Sequence, residues 1–253
     1  RVLWFEGTTE NQFQGPLWAE LDGSTIQWET ISTVAELQAL AASKDPAVLA
    51  KNYKLARDLD LSGVTFSGIG SASAPFTGMF DGQGHTVSHV TVKGGDNAGF
   101  FNVTLGAVIK NLHLSDVNVT GGSRVGGLVG WARAELDRQD MAGSKAGLVG
   151  SCTVSGTVSG SRAVGGLVGL NEGLSDQETM FSVASAVDKC TAAVSVSGKE
   201  KVGGLAGENS GSITKSAAQG SATAPDGVMV GGFAGDNSGG IYDSHAEGEV
   251  RGK

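Results

Sequence analysis

The stretch "KVGGLAGENSGSITKSAAQG", residues 201–220, decides how this chain is read. It crowds Gly203, Gly204, Gly207 and Gly211 together, and "VGGFAGDNSGGIYDSHAEG", residues 230–248, repeats the pattern. Glycine runs of this kind cradle phosphates, make flexible linkers or mark corners of a repeated fold. A phosphate loop feeds a helix and ends in a lysine and a hydroxyl. Here a β-like pattern follows instead. Val202 and Leu205 both look inward-facing, although they are three apart and a flat strand alternates with period two. A bulge or corner at Gly203–Gly204 restores the phase, because glycine permits positive φ or a tight backbone approach.

The same hexapeptide recurs along the chain. "VGGLVG" stands at 125–130 and 164–169, "VGGLAG" at 202–207, "VGGFAG" at 230–235, and a weaker "NAGFFN" at 97–102. A second element trails each copy, with Ile109, Val149, Val187, Ile213 and Ile241 as its apolar residues. The shortest units span 26 to 28 residues, too few to bury their own apolar side chains. Stacked copies bury them, each strand pairing with its equivalent about 4.8 Å away. Three ladders are expected: Phe100, Leu128, Leu167, Leu205, Phe233; Ile109, Val149, Val187, Ile213, Ile241; and Leu112, Cys152, Cys190, Ser216, Ser244. The expected fold is all-β, a right-handed parallel β-helix (solenoid).

Upstream, "TVAELQALAASKDPAVLAKN" at 33–52 is the clear helical stretch. Thr33 and Glu36 have capping-box spacing, and Val34, Leu37, Leu40 and Ala41 make one apolar face. A short capping helix over about 33–50 is expected to cover the first rung. Residues 31–253 then form the β-helix. Residues 1–30, with Trp4, Trp18 and Trp28, fit no repeat and read as an N-terminal cap or the end of a preceding segment.

Composition narrows the function. The 253 residues include 41 Gly but only 4 Pro, and the formal charge is -8, so nothing suggests nucleic acid as a partner. No apolar run is long enough to insert in a membrane. The chain shows no basic-then-apolar leader at Arg1, which fits a cytosolic chain or one trimmed from a larger exported protein. No cofactor motif or zinc ligand set is visible, so neither a metal nor a cofactor is expected. Cys152 and Cys190 fall on adjacent rungs about 5 Å apart, within disulfide range. In-register strands aim both side chains the same way, which favours free, stacked thiols over a bridge.

"YKLARDLDLSG", "FTGMFDGQGHTVSHVTV", "AGFFNVTLGAVIKNLHLSDVNVTG" and "VGGLAGENSGSITKSAAQG" together resemble the GLUG-repeat family, with Gly204-Leu205-Ala206-Gly207 as the repeat heart. That family is similar to the β-helical region of large bacterial surface proteins, immunoglobulin A1 protease-like and adhesin-like. The resemblance implies an extracellular or bacterial cell-surface location. Zinc peptidases of that group carry a His-Glu-x-x-His helix, whereas here Leu114 follows His113 and Ala246 follows His245. Any protease domain of a parent protein would lie outside this chain.

The copies are unequal. Five residues separate Gly207 from Ile213 and Gly235 from Ile241, but 18 follow Gly130 and 17 follow Gly169. Both insertions, 131–148 and 170–186, leave the same corner of adjacent rungs and should form one raised surface. The candidate binding residues are Trp131, Arg133, Arg138 and Met141 on the first, and Asn171, Asp176, Glu178, Met180 and Phe181 on the second. The bland alternative is that Trp131 and Phe181 only pack the loops onto the solenoid. Asp58, Asp60 and Asp81 are the carboxylates to weigh for catalysis, since glycoside hydrolysis needs a pair across a groove. Asp beside Gly is a turn signal, and His85 fits a turn better than a general base. No catalytic residue is assigned.

The expected function is therefore a non-catalytic surface or secreted module for adhesion, ligand binding or structural display. A host glycan or host protein is the partner class that the resemblance implies. The alternatives are an accessory region of an immunoglobulin A1 protease-like metallopeptidase and a β-helical carbohydrate-active enzyme.

Overall fold

The computed structural model describes residues 26–253, so 1–25 of the expected N-terminal segment lie outside the described residues. One repeat shows how the chain runs. Residues Glu200–Gly203, Ala206–Asn209, Ser212–Thr214 and the short pair Ala217–Ala218 and Ala222–Thr223 are consecutive strands. They enter four different sheets, of four, five, eight and ten strands. Each strand pairs in parallel with its equivalents in neighbouring repeats. This all-β stack of parallel sheets is consistent with a β-helix. The eight-stranded sheet begins at Trp28–Ile31, paired in register with Asn52–Leu55, so position 30/31 falls inside a strand.

The apolar ladders follow the repeat register. Ile109 pairs with Val149, Val149 with Val187, Val187 with Ile213, and Ile213 with Ile241. Leu128, Leu167 and Leu205 are each fully buried. Their backbones connect through Leu128 N–H to Leu167 O at 3.0 Å and Leu167 N–H to Leu205 O at 2.9 Å. In the third ladder Cys152 and Cys190 are buried free thiols. Cys190 Sγ donates to Asp188 O, as Ser216 Oγ does to Thr214 O and Ser244 Oγ to Tyr242 O. Burial, reinforced by Cys152, pushes the Cys190 thiol well above its ordinary pKa.

The corner falls at the glycines, but positive φ is not the reason. None of the four Val-Gly-Gly copies has a glycine with positive φ. A Cβ on Gly204 would sit 2.1 Å from Gly232 O, and one on Gly203 2.0 Å from Ala206 O. Close backbone approach, across the corner at Gly203 and to the next rung at Gly204, therefore demands glycine. The left-handed residues are instead those just before each valine: Arg124, Ala163, Lys201 and Met229 at φ 50–61°.

A second polar ladder runs inside the fold. Asn171 Nδ2 donates to Asn209 Oδ1 at 2.8 Å, and Asn209 Nδ2 to Asn237 Oδ1 at 2.7 Å. Stacking pairs the Asn171 Nδ2 group and both ends of the buried Asn209 amide, while Asn171 Oδ1 at the end of the ladder is buried without a partner among the described residues.

The helical segment is two helices rather than one. α1 spans Val34–Ala42, with the Thr33/Glu36 capping box formed as expected, and α2 spans Pro46–Leu49. Pro46 disfavours helical backbone at Asp45, which takes the N-cap position of α2. Leu37, Leu40 and Leu49 are buried in the common core, beside an aromatic cluster that includes Phe76, Phe80 and Phe101. No helix among the described residues is long and apolar enough to cross a membrane.

Candidate functional site

Both insertions begin as regular strands. Trp131 and Leu170 still pair with each other in the five-stranded sheet, as do Ala132 and Asn171. The excursions from the stacked sheets are therefore 134–147 and 172–185, narrower than the sequence spacing implied. The first folds on a Glu135–Lys145 antiparallel bridge with a 3.1 Å ion pair between the same two residues. The second is a hairpin, Gly173–Asp176 against Phe181–Ala184. They lie side by side. Arg138 Nε is 3.2 Å from the buried Asp176 Oδ2. Ala134 N–H donates to Glu172 Oε2, Glu172 N–H to Ala132 O, and Ala186 N–H to Gly147 O.

Most candidate residues take distinct places on this surface. Trp131 and Arg133 are half-buried at its base, Arg138 is exposed, and Met180 stands 87% exposed at the hairpin tip. Phe181 is half-buried opposite Asp176, while Glu178 is exposed and donates its backbone N–H to Asp176 Oδ1. Met141 opens a short 3-10 turn over Met141–Gly143. Asn171 lies in the interior amide ladder instead of on the surface.

Sequence reasoning missed two participants, Arg124 and Glu172. The Arg124 guanidinium lies 4.7 Å from the Trp131 ring centre and that of Arg133 lies 5.6 Å away. Burial raises the pKa of Glu172, while Ala134 N–H, Trp131 and the two arginines partly oppose the rise. Trp131 Nε1 is buried without a hydrogen bond of good geometry, and Glu172 is the group it interacts with. No repeat pattern marks Arg124 in the sequence, since the equivalent positions are Ala163, Lys201 and Met229.

The acidic residues upstream are occupied in structural pairings. Asp58 meets His85 Nδ1 at 3.1 Å and Asp60 meets His89 Nδ1 at 2.8 Å. The Ser62 hydroxyl and N–H, with His89, hold Asp60 at a pKa of about 2. Burial pushes Asp81 upward, but Gln83 N–H, Asn111 and Lys110 outweigh it, and its pKa ends lowered. All three carboxylates are thus stabilised as anions, without the raised pKa that a general acid needs. Among the described residues no group of three or more His, Cys, Asp or Glu could hold a metal ion.

This geometry can be set beside known proteins. No family model matches the sequence. The GLUG resemblance therefore rests on the repeat residues themselves. Halomucin of Haloquadratum walsbyi is 34% identical over 159 residues, which cover 56% of this chain. The match spans only 2% of that protein. The crystal structure of a candidate immunoglobulin A1 protease from Bacteroides ovatus superposes with a TM-score of 0.71 at 24% identity. It covers 88% of this chain and 67% of that one. At that identity the likeness is one of fold.

Proposed function

We propose that this chain is a non-catalytic module of a bacterial cell-surface or secreted protein, serving adhesion, ligand binding or structural display. It would be a right-handed parallel β-helix over 31–253, with α1 and α2 closing its first rung and residues 1–30 as a cap or the end of a preceding segment. The similarity to part of a halomucin and the fold shared with a candidate immunoglobulin A1 protease support the surface setting. The partner is a host glycan or host protein, and Trp131, Arg133, Arg138, Glu178, Met180 and Phe181 are its contact residues. One observation carries the reading: two insertions from equivalent corners of adjacent rungs are joined by Arg138 and Asp176. A solenoid that needs only five residues at this corner gains nothing in packing from a hairpin tip with Met180 fully in solvent.

The fold likeness to the Bacteroides ovatus structure favours one further reading, an accessory region of a surface metallopeptidase. A glycan and host-protein array tests the module. The wild-type chain should give a signal that disappears when both insertions are cut to five-residue turns. An array with no signal, or a signal that persists after shortening, would sink the reading.

A further inference from the structure

A shallow cleft of about 240 Å³ is lined in part by Ser67, Ser71, Asp96, Asn97, Asn102 and Val103, the last being the strand partner of Trp131. It lies between two tight segments. Asn102 Nδ2 ties down one of them by donating to Ser67 O at 2.9 Å and Gly70 O at 3.2 Å. Asp96 holds the other by accepting Ser123 N–H on Oδ1, which leaves its second oxygen for another donor. The walls are thus short, neutral or singly charged polar groups on a fixed backbone, suited to hydroxyls.

Asn97, on the cleft wall, links it to a cationic cluster. Asn97 Oδ1 accepts from Arg124 Nε at 2.5 Å, and the Arg124 guanidinium then reaches over the Trp131 ring. Arg133 brings a second guanidinium to the same ring. Among the described arginines, Arg138, Arg162 and Arg251 make close ion pairs with carboxylates, whereas Arg57, Arg124 and Arg133 make none, although Arg124 and Arg133 both act on the half-buried Glu172 carboxylate. Stacking on an indole orients a guanidinium without consuming its N–H fork, the group that matches a carboxylate. Two guanidiniums beside the single Glu172 carboxylate leave a net positive charge, and on a chain of net charge -8 that attraction is local.

Resting on the surface-binding reading above, we infer that the cleft and the Arg124–Trp131–Arg133 cluster form one site for an acidic glycan. Sugar hydroxyls seat against Ser67, Asp96 and Asn97, and a sugar carboxylate meets the two guanidiniums. Short polar walls beside an aromatic ring favour a saccharide over an acidic peptide, which would require apolar pockets or a free strand edge. Uronate and sialate sugars share this chemistry.

Calorimetric titration with hexagalacturonate, its methyl ester, 3′-sialyllactose and hexaglutamate tests the site. One of the two carboxylated saccharides should bind, and which one identifies the source. Neutralising the carboxylates as methyl esters, or replacing Arg124→Gln or Arg133→Gln, should weaken binding at least tenfold. Arg162→Gln, whose side chain pairs with Glu200, should leave it unchanged. Thermal unfolding of each variant separates lost contacts from lost fold. The inference is overturned by no binding of either saccharide, by equal binding of the ester, or by equal binding of hexaglutamate. If the array signal still depends on the insertions, only the acidic-glycan assignment falls. If that signal is also absent, the surface-binding reading falls with it.

Discussion

Arg138 Nε lies 3.2 Å from Asp176 Oδ2, joining two insertions that begin on different rungs. Arg138 is largely exposed while Asp176 is buried, so the pair contributes only about 0.5–1 kcal/mol. Its effect is on register between the loops. Arg138→Ala should speed amide hydrogen exchange in both 134–147 and 172–185 while leaving the solenoid strands unchanged. Combining it with Asp176→Asn should be non-additive. Faster exchange in the first insertion alone would show that the loops move independently.

Gly204→Val should destabilise the chain by about 3 kcal/mol or more, read by urea denaturation, because any Cβ there meets Gly232 O. Gly95→Ala is the control: nothing lies within 4 Å of its added Cβ and its φ is not positive. The control should be neutral to within about 0.5 kcal/mol. A stable Gly204→Val variant would contradict the close rung-to-rung approach.

Asn209 sits in the middle of the amide ladder, donating to Asn237 and accepting from Asn171. Asn209→Leu should cost about 2–4 kcal/mol, since it leaves the Asn171 amide deprived of a buried acceptor. Asn237 lies at the exposed end, and Asn237→Leu should cost clearly less. Equal losses in the two unfolding curves would remove the ladder from the account.

Asp60 gives stability a pH dependence. Its folded pKa of about 2 lies below the ordinary 3.8, so its contribution is complete above about pH 4 and disappears as the pH falls through 2. Thermal melts between pH 5 and 2 should therefore show a fall that is smaller in Asp60→Asn. Identical profiles for the two proteins would mean that Ser62 and His89 do not stabilise the anion.

The all-β stack of parallel sheets was legible because the repeat places equivalent residues in one ladder, and a fixed register leaves little freedom. Ile109, Val149, Val187, Ile213 and Ile241 could be aligned by eye. The Thr33/Glu36 capping box was legible for a similar reason, as a local rule with local partners. The reason for the glycines was harder to read, since close approach to Gly232 O depends on the next rung and not on the φ preference of Gly204. The break at Pro46 was present in the sequence but was outweighed by the apolar spacing around it. Asn171 looked like a loop residue, although Asn209 and Asn237 repeat it in register. Loop-to-loop contacts such as Arg138 with Asp176, and the stacking of Arg124 on Trp131, carry no periodic signal at all.

The central claim is that the two insertions act as a single recognition surface. Binding of the array-identified ligand should be measured for three variants: 134–147 shortened, 172–185 shortened, and both shortened, each checked for an unchanged solenoid by circular dichroism. One surface predicts that either single shortening weakens binding at least tenfold and that the double variant is little worse. Full binding after either single shortening, or losses that simply add, would contradict it.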